Sequence, residues 1–230
     1  MISSVDKVKG IQYTFRPDGN WIETLELGVE TFSNDVFTQY KTTIPGKIEI
    51  CSNISKIDEL DKEFIIIPET YSQYLDFISQ RDFNKEQWVY NILDGVAEQD
   101  RILYKDEIIV VVPNYTWDLV DLKKIHLLVF PTDKSLHSIR DLTVQHVELL
   151  KHIKTQTLQV IKSVYGFDFK HIKMYIHYSP STYHLHVHFV LISNNDANSS
   201  VEYSHELNNV INILEAKSDF YQSVVMNKRI

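Results

Sequence analysis

The sequence predicts an α+β protein, in which a strand-rich N-terminal part precedes a larger part with an antiparallel sheet and helices. Three observations predict this class. The first 80 residues contain short β-prone segments separated by turn residues. Apolar runs between residues 101 and 130 are followed by prolines, which rarely occur inside a sheet. Long segments beyond residue 143 instead repeat their apolar side chains at helical spacing.

The N-terminal part is predicted to form short strands. Residues 11–16 alternate apolar and polar side chains, residues 36–42 are rich in β-prone types, and residues 63–68 form an apolar run that a proline closes. Residues 52–62 are acidic and contain serine and asparagine, which is typical of a solvated loop or a short helix. We therefore expect short strands to dominate this part of the chain.

The middle of the chain predicts one helix and three strands. Apolar residues stand at helical spacing within residues 84–93, and Asn84 is the candidate N-cap. Three apolar runs follow, and Pro113 and Pro131 end the last two of them. These strand candidates are residues 101–104, 107–112 and 125–130.

The last third of the chain predicts two helices and two strands. Thr143 caps the clearest helical pattern in the sequence, and Gly166 ends it. Two strand candidates follow at residues 172–178 and 183–193. An amphipathic helix is predicted over residues 201–216. Together these segments predict a sheet that carries helices.

Composition and charge exclude several classes of protein. The 230 residues are 43% apolar and 23% charged, with 6 glycines and 6 prolines, which excludes collagen-like and disordered chains. The lone Cys51 forms neither an internal disulfide nor a cysteine metal site, which is typical of a reducing compartment. No apolar run reaches the length of a membrane span and no basic and apolar leader opens the chain, so we expect neither membrane partners nor secretion. The net charge of −8 makes a long nucleic acid a poor partner.

The histidines are confined to the second half of the chain. All ten lie beyond residue 125. Strand geometry places alternate side chains on one face, so the three histidines of residues 184–188 are expected to project together. His177, on the preceding strand candidate, is expected beside them. The other six, such as His146 and His152 on the long helix, are expected at the surface.

Three interpretations of this histidine cluster compete. The first is a set of surface or hydrogen-bonded side chains, although so dense a cluster exceeds ordinary histidine usage. The second is a zinc site, because three neutral imidazoles hold Zn²⁺ with an open fourth position. The third is nucleophilic catalysis at phosphorus, in which one imidazole attacks and the others neutralise the developing charge. The connection at residues 179–182 is rich in hydroxyl and amide donors, which suits phosphate better than metal.

The motifs resemble those of a known family. Residues 184–190 resemble the signature of the histidine-triad superfamily of nucleotide hydrolases and transferases, in which three histidines alternate with apolar residues. The longer segment 177–189 resembles the scavenger mRNA decapping enzymes of that superfamily, which clear short capped remnants after mRNA decay. The resemblance covers roughly residues 30–216, because three more motifs agree in order and spacing: residues 32–35, 88–101 and 138–143.

The resemblance implies a role for each histidine of the cluster. His186 is the nucleophile, which attacks the phosphorus that bears 7-methylguanosine and forms a covalent phosphohistidine. His177 and His188 bind the reacting phosphates, and Ser181 donates a hydroxyl to them. His184 orients the strand and the nucleophilic ring. Water then releases 7-methyl-GMP, and neither a metal nor a cofactor is needed.

The resemblance also implies a site for the cap base. Trp88 stacks on the cationic 7-methylguanine, and Glu98 accepts hydrogen bonds from the guanine N–H groups. Asn34 and Phe37 close over the ligand from the N-terminal part. By residue type alone, a tryptophan on an amphipathic helix is an ordinary core aromatic. The assignment of Trp88 to cap binding therefore rests on the resemblance.

The chain departs from the family pattern around the phosphates. Asn114 and Tyr115 stand where the family has an acidic and an aliphatic residue. Asn114 still accepts hydrogen bonds, and Tyr115 is expected to complete an aromatic sandwich with Trp88. The phosphate site is expected to be less basic than in the family, with Lys85, Lys105 or a partner subunit as compensation. Uncharged or acidic residues occupy the positions of expected cations: Thr116, Ser72, Asp76 and Tyr203.

The resemblance finally implies a homodimer with exchanged N-terminal segments. Residues 1–83 become a dimerisation and lid domain and residues 84–230 a catalytic domain of the histidine-triad type, with a hinge near residues 83–86. The expected function is hydrolysis of a capped dinucleotide or short capped RNA in the cytoplasm, with the nucleus as an additional location. Three alternatives stay open: a general dinucleoside-polyphosphate hydrolase, a cap-binding regulator with little or no catalysis, and a zinc protein.

Overall fold

The computed structural model describes residues 65–194 and 199–229 in full, together with the backbone of four short strands nearer the N-terminus. The chain divides into two compact units, Met1–Phe64 and Ile65–Ile230. The predicted division at residue 83 into a lid and a catalytic domain stays a prediction. The predicted loop or short helix at residues 52–62 lies outside the described residues.

The first unit contains two antiparallel pairs of short strands. The predicted strands at residues 11–16 and 36–42 are confirmed, since each contains one of the observed strands. The other two observed strands were not predicted. The pairs are β1 (Tyr13–Phe15) with β2 (Ile22–Leu25), and β3 (Val29–Ser33) with β4 (Thr38–Lys41).

The second unit is built on a six-stranded antiparallel sheet, which confirms the predicted α+β class. Its strands are β6 (Tyr104–Lys105), β7 (Ile109–Pro113), β8 (His126–Pro131), β9 (Ile172–His177), β10 (Val187–Leu191) and β11 (Ser204–Glu206). Their order across the sheet is β11-β9-β10-β8-β7-β6. Prolines end β7 and β8 as predicted, because a proline donates no hydrogen bond to a continuing ladder.

The strand predicted over residues 183–193 is shorter in the structure. It begins only at Val187, because the backbone N–H of Leu185 donates to the carbonyl of Leu136 at 2.7 Å rather than to a sheet neighbour. A separate two-stranded sheet pairs β5 (Ile66–Glu69) with β12 (Met226–Arg229). The sequence predicted a strand overlapping β5 but not β12.

Within the described residues, five α-helices accompany the sheets. They are α1 (Tyr71–Gln80), α2 (Gln87–Leu93), α3 (Val147–Tyr165), α4 (Leu207–Ala216) and α5 (Phe220–Ser223). The sequence missed α1, although Thr70 and Gln73 form a capping box at its start. Gly166 ends α3 at a φ of 75°, as predicted for a left-handed cap. The last long helix starts at Leu207 rather than residue 201, because the Glu206 side chain caps it by accepting from the Asn209 N–H.

The start of α2 also differs from the prediction. A 3-10 turn at Phe83–Glu86 precedes the helix, and the cap is Asp82, whose carboxylate accepts from the Asn84 N–H at 3.0 Å. Asn84 is therefore the first capped residue instead of the cap itself. None of the helices in the described part of the chain is long and apolar enough to cross a membrane.

The two faces of the sheet carry different helices. The apolar sides of α3 and α4 pack on one face, against Leu185, Val187 and Phe189 among others. The short α2 packs on the other face, against residues such as Leu128 and Phe130. This second face is the one on which the histidines lie.

A buried arginine ties the ends of the second unit together. Arg140 is fully buried, and its guanidinium donates to the backbone carbonyls of Tyr221, Val224 and Glu69 and to the Tyr178 hydroxyl. These four bonds give oxygen acceptors to four of the five N–H donors of the buried guanidinium, which limits its desolvation cost. The segment around β5 is thereby fastened to the C-terminal residues.

Candidate active site

Histidines from neighbouring strands meet on one face of the sheet. In the strand register, His188 lies opposite Tyr175 on β9 and Leu128 on β8. Directly opposite and alternate residues share a face, so His177 and His126 lie on the same face as His188. The ring centroids of His177 and His188 are 4.2 Å apart, and His177 is buried.

Three imidazoles form a compact set of ring nitrogens. One nitrogen from each of His177, His186 and His188 lies within 4.8 Å of the other two. The rings of His186 and His188 are 4.9 Å apart, and both are buried. These three donors match the residue types of a catalytic zinc site with an open fourth position. Three imidazoles are therefore chemically suited both to a metal site and to a phosphate site.

His186 is held with one nitrogen ready to react. Its Nδ1 lies 2.8 Å from the carbonyl oxygen of His184. Because a carbonyl only accepts, Nδ1 carries the proton and Nε2 keeps its lone pair. Burial lowers the pKa of His186, which favours the neutral ring. A neutral imidazole with an unprotonated Nε2 is the form required of a nucleophile.

The side chain of His184 stands apart from this set. Its Nε2 donates to the carbonyl of Pro131 at 2.8 Å, and its ring lies against Tyr90 and Phe130. Burial lowers the pKa of His184 to about 4. The expected projection of three triad imidazoles into one group thus holds for two of them. His184 contacts the ring of His186 through its backbone carbonyl.

His126 is a site residue that sequence reasoning missed. It was expected at the surface with five other histidines, but it is only 5% exposed. Its Nε2 lies 2.8 Å from Nδ1 of His188. The reason is the alternation of β8, which places His126 on the same face as Leu128 and Phe130. A polar residue in an otherwise apolar strand was the available signal.

Two tyrosines pack on the histidine cluster. Tyr175 stacks on His188 with a centroid distance of 4.9 Å and an angle of 4°. Tyr203, which occupies the position of an expected cation, stacks on His177 at 4.1 Å. The guanidinium carbon of Arg229 lies 4.2 Å from the Tyr203 ring centroid. A positive charge is therefore present behind Tyr203, although the residue itself is neutral.

Trp88 lies on the histidine side of the sheet. It is half-buried on α2, and its ring meets the edge of Phe130 at 5.7 Å. Phe130 in turn lies 5.9 Å from the ring of His186. Glu98 has a left-handed backbone with a φ of 53°, and its carboxylate pairs with Arg101 at 3.1 Å. The aromatic chain through Phe130 connects the predicted stacking residue with the predicted nucleophile.

The remaining predicted site residues lie at varied depths. Asn114 is buried and contacts Nε2 of His126 at 3.3 Å. Tyr115 is half-buried, Ser181 is exposed, and Thr116 donates its hydroxyl to the Asn114 side-chain oxygen. Asn34 and Phe37 lie outside the described residues, so their predicted contacts with the ligand stay predictions.

The positions that lack an expected cation on α1, and the lysines expected to compensate for them, are exposed. Ser72 and Asp76 lie on the solvent side of α1. Lys85 is exposed in the turn before α2. Lys105 is exposed too, and its ammonium donates to the Leu93 carbonyl at 3.0 Å. The predicted shortage of phosphate-binding cations stays a prediction.

A buried ion pair links the predicted hinge to the loop before the triad. Glu86 is fully buried, and its Oε1 accepts from the Arg81 guanidinium at 2.5 Å and from the Tyr183 N–H at 2.9 Å. The guanidinium carbon of Arg81 also lies 4.4 Å from the ring centroid of Tyr183. Residues 81–86 therefore hold the backbone that leads directly into His184.

Known proteins resemble most of this chain. A family model described as "Scavenger mRNA decapping enzyme C-term binding" matches residues 87–203. An m7GpppX diphosphatase of Ascaris suum is 35% identical over 205 residues, which cover 82% of this chain and 68% of that protein. The m7GpppX diphosphatase of Homo sapiens is 32% identical over 207 residues, which cover 83% of this chain and 61% of that protein.

The chain is shorter than these relatives, since it spans 61% of the human protein and 68% of the Ascaris protein. Among solved structures, the Schizosaccharomyces pombe aprataxin ortholog Hnt3 has a TM-score of 0.34 at 19% identity, covering 50% of this chain and 60% of that one. The family match and the sequence identities suffice to conclude that the chain belongs to the scavenger mRNA decapping enzyme family.

Proposed function

We propose that this protein hydrolyses the 5′ cap of a capped dinucleotide or short capped RNA, releasing 7-methyl-GMP and a nucleoside diphosphate. The observation that carries the proposal is the buried histidine cluster, in which His186 keeps the lone pair of Nε2 beside His177 and His188. Membership of the family supports the choice of substrate, because the similar curated proteins are named m7GpppX diphosphatases.

The proposed reaction has two displacements at phosphorus. In the first, Nε2 of His186 forms a bond to the phosphorus next to 7-methylguanosine, and the P–O bond to the nucleoside diphosphate breaks. The leaving group departs as a phosphate anion and takes the electron pair of the broken bond. In the second, water attacks the same phosphorus, and the N–P bond breaks to restore His186 and release 7-methyl-GMP. A proton of the attacking water passes to a base.

The neighbouring groups support these steps. His177 and His188 lie where they can contact the phosphate oxygens, and the Ser181 hydroxyl donates to them in our proposal. Proton-bearing imidazoles neutralise the charge that develops in each transition state. Because burial disfavours a charged ring, we expect His188 to stay neutral until it accepts a proton during the reaction.

The cap base is proposed to bind between aromatic and acidic side chains. Trp88 supplies an electron-rich face for the cationic ring, and Tyr115 completes the sandwich. Glu98 accepts from the guanine N–H groups. We further propose that Asn34 and Phe37 close over the ligand, in a homodimer whose N-terminal segments, residues 1–83, are exchanged between subunits.

Incubation of the full-length protein with 7-methyl-GpppG, beside unmethylated GpppG, tests the proposal. We expect 7-methyl-GMP and GDP from the wild type, a slower reaction with GpppG, and no product from His186→Asn. When the wild-type reaction is stopped without acid, mass spectrometry should detect one 7-methyl-GMP covalently bound to the protein. The His186→Asn protein should lack it. Absence of 7-methyl-GMP from the wild-type reaction would refute the proposal.

The same experiment separates the alternatives. Equal turnover of methylated and unmethylated dinucleotides would indicate a general dinucleoside-polyphosphate hydrolase. Tight binding of the cap without turnover would indicate a cap-binding regulator. One tightly bound zinc per chain by elemental analysis, with activity lost to a chelator and restored by zinc, would indicate a zinc enzyme that uses the three-histidine set.

A further inference from the structure

The side chain of Asn114 has a defined orientation. The backbone N–H of Thr116 lies 2.9 Å from Oδ1 of Asn114, and the Thr116 hydroxyl lies 3.0 Å from the same oxygen. Because a backbone N–H only donates, the amide must present its oxygen to Thr116. The amide nitrogen Nδ2 then faces Nε2 of His126 at 3.3 Å. Since Nδ2 only donates, Nε2 of His126 accepts and carries no proton.

This orientation determines the proton position on His188. Nδ1 of His188 lies 2.8 Å from the same nitrogen of His126, so a hydrogen must stand between them. His126 does not supply it, because its Nε2 carries no proton and its lone pair accepts from both neighbours. The proton therefore belongs to Nδ1 of His188. When His188 is neutral, its Nε2 has a lone pair and no proton.

The unprotonated nitrogen of His188 points into the active site. Within the described part of the chain, Nε2 of His188 is buried and has no hydrogen-bond partner. The rings of His177, His186 and Tyr175 pack against the His188 ring at centroid distances of 4.2, 4.9 and 4.9 Å. Burial, together with the neighbouring histidines, lowers the pKa of His188, so the ring is neutral before substrate arrives. A buried nitrogen without a hydrogen-bond partner is available to accept a proton or to bind a ligand.

We infer that His126 is a positioning residue, held by Asn114 and Thr116, which keeps the proton of His188 on Nδ1 and presents Nε2 of His188 as the proton acceptor for the hydrolytic water. The inference rests on the proposed function. In the second displacement, the water oxygen bonds to phosphorus while the N–P bond breaks and its electron pair returns to Nε2 of His186. The water proton moves to Nε2 of His188, and the resulting imidazolium keeps its Nδ1–H bond to His126. That proton later leaves to solvent.

The tautomer of His188 can be measured in the resting protein. Long-range ¹H–¹⁵N spectra of the full-length, histidine-labelled protein identify which ring nitrogen carries the proton, and His188→Gln assigns the signal. We expect the neutral ring of His188 to hold its proton on Nδ1. A neutral His188 with its proton on Nε2 overturns the inference. If the wild type releases no 7-methyl-GMP, the proposed function fails, whereas this spectrum still decides the role of His126.

A matched pair of variants tests the positioning role. His126→Phe keeps a ring but removes the acceptor, and His126→Gln restores an acceptor oxygen. We expect His126→Phe to populate the other tautomer of His188 and to lower the hydrolysis rate of the phosphohistidine about 10- to 100-fold, the range typical for loss of a group that orients a histidine. His126→Gln should regain most of the wild-type tautomer population of His188 and most of the wild-type hydrolysis rate. An unchanged tautomer in His126→Phe, or equal impairment in both variants, overturns the inference.

A third variant covers the case in which His126→Phe does not fold. Asn114→Asp replaces the donor Nδ2 with an acceptor, so Nε2 of His126 becomes protonated and the contact with His188 reverses. We expect a larger fraction of His188 to carry its proton on Nε2. An Asn114→Asp protein with the wild-type tautomer overturns the inference, because His126 would then have no control over His188.

Discussion

His184 is expected to make the stability of this protein sensitive to acid. Its ring is fully buried, and burial lowers its pKa from 6.5 to about 4. The unfolded chain binds a proton at this residue near pH 6.5, so the unfolded state holds more protons than the folded state between pH 6.5 and about 4. The free energy of unfolding therefore falls as the pH falls through this window. Each pKa unit corresponds to about 1.4 kcal/mol, so the loss from His184 is about 3 kcal/mol.

Substitution of His184 by glutamine isolates this contribution. The glutamine amide can donate to the carbonyl of Pro131 as Nε2 does now, but it does not titrate. Urea unfolding followed by circular dichroism at pH 7, 6, 5 and 4 gives the free energy of unfolding of both proteins. We expect the wild type to lose about 3 kcal/mol more than His184→Gln between pH 7 and 4.

A surface substitution serves as the control for this measurement. His171 is exposed, so His171→Gln is expected to follow the wild-type dependence on pH. The other buried histidines are unchanged in both variants. Their contributions to the pH dependence of the free energy of unfolding therefore cancel when each variant is compared with the wild type. Parallel curves for the wild type and His184→Gln would refute the reasoning, because the buried ring would then take up its proton without cost.

Two substitutions and a metal-removal experiment test the cap-binding residue, the buried ion pair and the histidine cluster. Trp88→Ala should weaken 7-methyl-GMP binding by about 1–3 kcal/mol in titration calorimetry, and Trp88→Phe by less; an unchanged Kd would contradict a stacking role. Arg81→Met leaves the buried carboxylate of Glu86 without its cation, so urea unfolding should show a loss of about 3–5 kcal/mol, and wild-type stability would contradict the importance of this pair. Prolonged dialysis against a chelator should leave cap hydrolysis intact in a product assay; activity that returns only with added zinc would show that the three-histidine set holds a metal.

Several elements were predictable because their causes are local. A proline ends β7 and another ends β8, and Gly166 ends α3, since each residue acts on its own backbone. The alternation of residues 184–188 correctly separated the histidines from the apolar side chains that face the larger core. The helix α1 was missed although its capping box is also local, because the preceding apolar run favoured strands in this region.

Other elements depend on partners that are distant in the chain. The strand β12 forms by pairing with β5 near the other end of the second unit. Residues 184–186 leave the sheet because the N–H of Leu185 finds the carbonyl of Leu136. Periodicity describes which side chains share a face, but it does not identify the hydrogen-bond partner of a backbone group.

The sequence by itself determined the α+β class, the histidine cluster as the candidate site, and the resemblance to the family. Only the tertiary structure decided which imidazoles meet. His184 donates to a carbonyl 53 residues away, and His188 contacts a histidine 62 residues away. The physical reason is that a strand pattern orients side chains, whereas the protonation of a buried imidazole depends on the donors and acceptors that folding brings to each of its nitrogens.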